Sequence, residues 1–272
     1  SVEARDRTTA TTARPATLVD VARAAGVSTA TVSRAFNRPD AVRESLRQRV
    51  QTAAIALQYI PNDAARALAS HRSRVIGAIV PTIDNAIFAQ GVAAIQRRVE
   101  AAGYALLLAA CDYDLDRELA QARTMISRGI EGLVLVGTRH HPALRALLRE
   151  HRTAYVCQGA YAPADEPACV GFDNRRASYV ATRYLLHLGH RRIAMLAGVR
   201  KDNDRAQERL AGARDALAEA GLALAEGPAE SDPPDTGRLV ESPYDYEAAR
   251  SATRRLLQGP RPPTALVCGN DV

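Results

Sequence analysis

The apolar positions in the first quarter of the chain recur at helical intervals and predict three short helices. Thr17, with an aspartate three residues later, has capping-box spacing at the start of the first helix, and Gly26 ends that helix. Ser28 is placed to cap the second helix. The third is predicted over residues 42–57, because Pro61 disfavours helical geometry at the residue before it.

From residue 74 onward, short continuous apolar runs alternate with amphipathic helical segments. The predicted strands are 74–81, 104–111, 131–137, 153–159, 168–173, 191–198 and 264–270. The predicted helices are 88–102, 117–128, 142–151, 174–188, 205–220 and 246–257. Buried parallel strands read as continuous apolar runs, and their alternation with helices predicts an α/β fold with two doubly wound units in series.

These patterns divide the chain into five parts. We expect a flexible arm over 1–16, a helical unit over 17–61, a linker over 62–73, a first α/β lobe over 74–161 and a second over 162–272. A stretch interrupted by proline and glycine separates the two lobes. The chain stops directly after an apolar strand, so the sequence predicts a second lobe that is incomplete at its C-terminus and a fragment or truncated product.

Composition narrows the class of protein. The chain has 272 residues, of which 47% are apolar, as is typical of a globular protein. No apolar run approaches the ~18 residues of a membrane span, and the N-terminus lacks the apolar segment of a signal peptide, so we expect a cytoplasmic protein without a membrane partner. The four cysteines have no metal-ligand spacing, which predicts reduced core residues and neither a metal site nor a cofactor.

The net charge of +6 is concentrated at one end of the chain. Residues 1–75 contain 12 Arg against six Asp or Glu, whereas the remainder contains 24 basic and 24 acidic residues. A basic module joined to a neutral body indicates a polyanionic partner for the N-terminal part. A general preference for Arg over Lys is an alternative, but it does not explain why the excess lies at one end.

The basic three-helix unit, with glycine in the turn before its second helix, has the outline of a helix-turn-helix. A small helical hairpin is an alternative that spacing alone leaves open. The segments TLVDVARAAGVSTATVSRAFN and LQYIPNDAARALASHRSRVIGAIVP, however, closely resemble the DNA-binding headpiece and hinge of the lactose repressor (LacI/GalR) family. The resemblance continues through GFDN, LGHRRIAMLAG, ERLAG and CGND, and so covers the chain from about Thr17 to its end.

The resemblance implies a DNA-binding transcriptional regulator, most simply a repressor, that acts as a homodimer on a pseudo-palindromic operator. The positions that match the family's base-reading residues are Thr29, Ala30 and Arg34. The positions suited to phosphate contacts are Ser28, Thr31, Ser33 and Asn37, and those of the hinge helix in the minor groove are Asn62, Ala65 and the wedge Leu68. Arg34 can contact guanine in a bidentate manner, so we expect it to supply most of the direct base recognition.

Each of these residues also has a plain structural interpretation. The Ser and Thr side chains can cap or pack, and Leu68 can be a core residue. One departure from the family is Arg43, which stands where relatives have a Ser or Thr cap, so the third helix is expected to shift its start by a residue or two.

For the body, the resemblance implies two lobes similar to type I periplasmic binding proteins, with a sugar or sugar acid as effector between them. The matching effector-binding positions are Asp84, Asn85, Phe88, Arg209 and Asp271. Parallel sheets independently favour ligand sites beyond the carboxyl ends of their strands. The alternatives are a turn for Asp84 and Asn85, a solvated helix face for Arg209 and a helix cap for Asp271. Part of the body also resembles the gluconate-repressor branch, which tilts the prediction towards a sugar acid or monosaccharide.

Two other functions compete with regulation. A carbohydrate solute-binding protein predicts a signal peptide and no basic headpiece, the reverse of this sequence. An enzyme on a doubly wound fold is not indicated, because the chain has no GxGxxG, GxxxxGK[ST] or GxSxG motif and no catalytic residue is assigned. The sequence therefore predicts a cytoplasmic, nucleoid-associated regulator.

Overall fold

The computed structural model describes residues 14–62, 67, 72–161, 168–226 and 235–270. The chain forms two compact units, residues 1–73 and 74–272. We call the first the headpiece and the second the body. The hinge residues Ala65 and Leu68 and the effector candidate Asp271 lie outside the described residues.

Within residues 14–62, the headpiece contains three α-helices around a small apolar core. They are α1 (Leu18–Ala25), α2 (Thr29–Asn37) and α3 (Glu44–Ala56), with a 3₁₀ helix at Pro39–Ala41. Val21, Val32 and Val50, one from each α-helix, are fully buried and meet at the centre. Gly26 adopts a left-handed conformation with φ 63°, which ends α1 and lets the chain turn into α2.

The ends of α3 agree closely with the sequence prediction. The helix begins at Glu44, which is the expected shift of two residues, because Arg43 provides no side-chain cap. It ends at Ala56, one residue before the predicted end. Gln58 there has φ 49°, and the N–H of Tyr59 donates to the carbonyl oxygen of Ala54 (2.9 Å), so a left-handed cap closes the helix.

The described part of the body forms two parallel sheets. The first lobe consists of β1 (Val75–Val80), α4 (Ala86–Ala101), β2 (Ala105–Ala110), α5 (Leu115–Ser127), β3 (Gly132–Val136), α6 (Leu144–Glu150), β4 (Ala154–Gln158) and β5 (Cys169–Val170). The second consists of α7 (Asn174–His187), β6 (Ile193–Ala197), α8 (Asp204–Glu219), β7 (Leu224–Ala225), β8 (Gly237–Glu241), α9 (Tyr246–Gln258) and β9 (Ala265–Cys268). The strand orders are β2-β1-β3-β4-β5 and β7-β8-β6-β9.

Two features of this topology were not predicted. The strands β7 and β8 were missed, and β5 pairs with β4 in the first sheet although residues 162–272 were assigned to the second lobe. The sequence of β8, GRLVE, alternates in burial and contains no continuous apolar run. It therefore lacks the apolar pattern that predicted most of the other strands.

Each sheet has its own core. Ile79, Leu133 and Leu135 are buried in the first lobe, and Ile193 and Met195 in the second. The cysteine prediction holds only in part, because Cys268 is exposed while Cys111 and Cys157 are buried. Burial raises the pKa of Cys111 to about 11 and that of Cys157 to about 12, so both are protonated thiols at neutral pH.

Candidate functional site

The outward face of α2 carries the residues predicted to read DNA. Thr29, Ala30 and Arg34 are all exposed. The Nε of Arg34 donates to the carbonyl oxygen of Ala30, one turn earlier (3.4 Å), so the arginine stem lies along the helix surface. This face combines a small methyl group, a hydroxyl and a guanidinium, which are the chemical groups that contact thymine methyls and guanine in the major groove.

The predicted phosphate contacts surround this face, and they also make local hydrogen bonds. The Oγ of Ser28 accepts from the N–H of Thr31 (3.2 Å) and lies 2.9 Å from its Oγ1. Asn37 Nδ2 donates to Ser33 Oγ (3.2 Å). Ser28 therefore caps α2, as its structural interpretation predicted, and it remains exposed at the helix N-terminus, where phosphate oxygens bind favourably.

The arginines of the headpiece fall into two groups. Arg14 and Arg23 pair with Asp20, and Arg47 pairs with Glu44. Within residues 14–62, by contrast, four arginines make no ion pair: Arg34, Arg38, Arg43 and Arg49. Arg49 is bound to the carbonyl oxygen of Ala25, and the other three lie on α2 and on the segment that follows it.

The capping box at the start of α1 fixes the first helix of this unit. Thr17 donates to Asp20 from both its N–H (2.9 Å) and its hydroxyl (2.7 Å). These hydrogen bonds, together with Arg14, lower the pKa of Asp20 to about 2, so its carboxylate stays ionised at neutral pH. At the other end of α1, Arg49 Nη2 donates to the carbonyl oxygen of Ala25 (2.6 Å) and ties α3 to the turn before α2.

One predicted hinge residue, Asn62, lies within the described headpiece. It is exposed and lines a groove together with Ser33 and Asn37 at the end of α2. The aromatic rings of Phe36 and Tyr59 line the same groove, with their centroids 6.0 Å apart. Asn62 thus shares a surface with two of the predicted phosphate contacts.

The predicted effector residues that follow β1 differ in exposure and in the contacts that they make. Asp84 is exposed and Phe88 is half-buried. Asn85 is buried, and its Oδ1 accepts from the N–H of Ile87 (2.9 Å), so it is the N-cap of α4. The turn interpretation holds for Asn85, because its amide oxygen caps α4. A contact between this amide and a ligand stays a prediction.

Arg209, on α8, does not lie on a solvated helix face. Its Nη1 donates to Asn174 Oδ1 (2.6 Å), and Asn174 Nδ2 in turn donates to the carbonyl oxygen of Gly159 (3.0 Å). Its Nε is buried and has no partner in the described structure. Burial lowers the pKa of Arg209, a hydrogen bond with Tyr244 opposes this, and the charge of Arg205 adds to the lowering.

The two lobes meet around this arginine through contacts that the sequence analysis missed. The Asp204 carboxylate accepts from the N–H (2.6 Å) and the hydroxyl (2.8 Å) of Thr138 in the other lobe. Tyr113 stacks on Tyr244, with 6.0 Å between the ring centroids. A side chain at Gly137, where φ is 83°, would collide with Asp204, so this glycine permits the close approach of the lobes.

These cleft residues left only a faint sequence signal. Tyr113 follows the carboxyl end of β2, where a ligand-facing side chain is expected, and Arg205 stands one helical turn before Arg209. Tyr244 follows β8, a strand that was itself missed. The carboxyl ends of the two sheets nevertheless contribute to one cleft, as the topology rule predicts.

Comparison with known proteins gives this arrangement a family. The family model for bacterial regulatory proteins of the lacI family matches residues 17–62, and the model for periplasmic binding proteins and the sugar binding domain of the LacI family matches residues 73–272. The chain belongs to the LacI family. Together the two matches cover the headpiece and the body, as the resemblance implied.

Individual LacI-family relatives agree. The HTH-type transcriptional repressor CytR of Escherichia coli K12 is 33% identical over 259 residues, 94% of this chain and 72% of that protein. The ribose operon repressor of the same strain is 32% identical over 257 residues, 94% of this chain and 74% of that protein. The crystal structure of the lac repressor dimer bound to operator and an anti-inducer has a TM-score of 0.76 at 25% identity, covering 95% of this chain and 74% of that one.

These findings confirm the predicted class of function. This LacI-family chain is a DNA-binding transcriptional repressor with a ligand-binding domain, and the solute-binding alternative is not favoured, because the headpiece itself matches the regulatory family. The relatives are repressors and not enzymes. None of the described helices is both long and apolar enough to cross a membrane.

Proposed function

We propose that the headpiece binds a pseudo-palindromic operator through α2, and that a sugar or sugar-acid effector in the cleft of the body controls this binding. The observation that carries the proposal is the exposed, correctly capped α2, with Arg34 on its outer face and uncompensated arginines beside it. We assign the recognition of base edges to Arg34. The contacts with phosphates are assigned to four polar residues, Ser28, Thr31, Ser33 and Asn37.

The proposal assigns these tasks to the predicted domains. Residues 17–61 bind DNA, 62–73 form the hinge with Ala65 and Leu68, and the lobes 74–161 and 162–272 bind the effector. Because a repressor acts on the chromosome, we also place the protein in the cytoplasm, associated with the nucleoid, and assign it no catalytic activity.

We propose that two copies of the body pair through α4. Although this helix is rich in Ala, Ile and Val, the described structure buries none of its residues. Ile87 on the helix is 50% exposed, Ile83 before it 54%, and Leu108 on the neighbouring edge strand β2 38%. Exposed apolar patches of this kind mark interfaces, and a second copy of the same patch is self-complementary in a two-fold dimer.

For the effector, the names of relatives and the cleft chemistry point in the same direction. One relative is the repressor of a ribose operon, and the body matches a sugar binding domain. Arg209, with its buried Nε, and Asn174 offer hydrogen bonds suited to hydroxyl groups, and Tyr113 and Tyr244 offer aromatic faces. The effector then acts by its different affinities for the arrangements of the two lobes.

Selection from a random duplex library with the full chain tests the DNA-binding part. We expect an enriched pseudo-palindromic sequence with two half-sites, because a symmetric dimer presents two copies of α2. The enriched duplex should then compete far better than a scrambled duplex of the same length and composition. Recovery of no consensus sequence, with the two duplexes competing equally, would contradict the proposal.

A further inference from the structure

The first two turns of α8 carry two arginines on one face inside the cleft. Arg205 and Arg209 are four residues apart, so their side chains project from the same side of the helix. Arg205 is only 8% exposed, and the Nε of Arg209 is fully buried. One buried and one half-buried guanidinium group on the same helix face are uncommon in a soluble protein.

This arrangement is electrostatically unfavourable as it stands. Like charges one turn apart destabilise a helix, and buried charges are stable only when they are paired. The charge of Arg205 contributes to lowering the pKa of Arg209, after burial, which is the larger cause. The N-terminal end of the 16-residue helix α8 adds positive potential at the same place.

The described residues compensate only part of this charge. Asp204 Oδ1 accepts from Arg205 Nη1 (2.8 Å), but the other oxygen of the carboxylate is held by Thr138 from the opposite lobe. Arg209 meets neutral groups, the Asn174 amide (2.6 Å) and the Tyr244 hydroxyl, and its Nε has no partner within the described part of the chain. The nearby Asp202 pairs with Arg139 instead. Of these two guanidinium groups, only that of Arg205 is paired with a carboxylate among the described residues, and that carboxylate also accepts from Thr138.

We propose that the effector carries an anionic group, a carboxylate or a phosphate, which binds between Arg205 and Arg209 at the N-terminal end of α8. This inference rests on the proposed function of the cleft and makes Arg205 a specificity-determining residue. The anion supplies the charge that the described residues lack and accepts a hydrogen bond from the Nε of Arg209. The stacked rings of Tyr113 and Tyr244 lie beside the two arginines and cover the uncharged part of the effector.

A neutral sugar satisfies this site less well. Hydroxyl groups can accept hydrogen bonds from the guanidinium groups, but they leave the positive charge uncompensated in a buried place. Hydrogen bonds between ionised partners are roughly twice as strong as neutral ones. The preference for an anion should therefore appear as a ratio of affinities between molecules that differ only at the charged group.

Thermal-shift titration of the full chain measures that ratio. Suitable probes are glucose, glucuronate and glucose 6-phosphate, which differ only at C6, followed by ribose and ribose 5-phosphate. We expect at least one anion to raise the melting temperature with an affinity tenfold or more above that of its neutral parent, because a ligand that binds only the folded state stabilises it. The carboxylate and phosphate arms distinguish the two possible sources of the anion.

Substitutions test the assignment to Arg205. Arg205→Gln should bring the ratio of anion to neutral affinity close to one, whereas Arg205→Lys, which keeps the charge, should retain part of it. Arg214→Gln is the matched control, since Arg214 lies on the same helix but at the surface, paired with Glu226. If Arg205→Gln does not fold, the wild-type ratio and the Lys variant still decide.

Three results would overturn the inference: equal affinity for neutral and anionic probes, a charge preference that survives Arg205→Gln, or no thermal response to any anion. Each is distinguishable from failure of the proposed function, which appears independently as an absence of operator selection by the same preparation.

Discussion

At the scale of single residues, Arg34 is predicted to contribute most to the recognition of the DNA sequence. It is the one exposed base-reading candidate on α2 able to make a bidentate contact with guanine, since Ala30 offers a methyl group and Thr29 one hydroxyl. Arg34→Ala should weaken binding to the selected operator by about 1–3 kcal/mol, with a much smaller effect on a scrambled duplex. Equilibrium fluorescence anisotropy with both duplexes measures the difference.

Arg23→Ala is the matched control for this prediction. It removes the same positive charge from the headpiece, but Arg23 lies on α1 and pairs with Asp20. We expect it to change binding to the two duplexes by similar small factors, because loss of a phosphate contact or of general charge carries no sequence information. An operator affinity in Arg34→Ala equal to that of wild type would show that α2 does not read bases through this residue.

Residue identity predicted some roles well and others poorly. Ser28 was assigned both a cap and a phosphate contact, and the structure contains the cap, while the phosphate contact stays a prediction. Arg209 was identified through its resemblance to the family, but its partner Asn174 and the neighbouring Arg205 were not. Contacts between residues far apart in sequence depend on how the two lobes meet. The spacing of apolar residues along the chain does not reveal which residues of the two lobes come into contact.

At the scale of elements, the helices were predictable from their apolar periodicity, and most strands were predictable from their continuous apolar runs. Two strands of the second sheet were not, because β8 alternates in burial and β7 is only two residues long. The end of α3 was predicted to within one residue, but the helix is closed by Gln58, in a left-handed conformation that a glycine usually occupies, and not by the proline used for the prediction. Because a residue other than glycine takes this conformation, the sequence contains no signal for this cap.

The helix α4 gives a prediction at this scale. Ile87→Glu should raise the dimer dissociation constant of the full chain at least tenfold, because it places a charge in the proposed apolar interface, where full burial of an isoleucine is worth about 1.5–3 kcal/mol. Operator affinity should fall with it, since a monomer engages one half-site. Sedimentation velocity over a range of protein concentrations measures the association.

The control for α4 is Val180→Glu, which introduces the same charge at a similarly exposed apolar position. Val180 is 49% exposed on α7, compared with 50% for Ile87. The Val180 variant should associate like wild type. Unchanged association of the Ile87 variant would show that the dimer uses another surface.

At the scale of the whole molecule, a basic helical headpiece is joined to a body whose two lobes meet around a cleft. Between the lobes, Thr138 donates to Asp204, and Tyr113 stacks on Tyr244. A ligand that binds among these groups therefore changes the free energy of the arrangement in which the two lobes are in contact. By linkage, an effector that weakens operator binding is itself bound more weakly by the operator complex. The regulation thus resides in the body and the recognition in the headpiece.

The most direct test of sequence-specific operator binding is the affinity of the full chain for the selected operator and for its scrambled counterpart, measured across a range of salt concentrations. We predict that both affinities fall as salt rises, because arginine–phosphate contacts release counterions, while the operator remains about 10³-fold or more the tighter ligand. Equal affinities for the two duplexes at every salt concentration would contradict it.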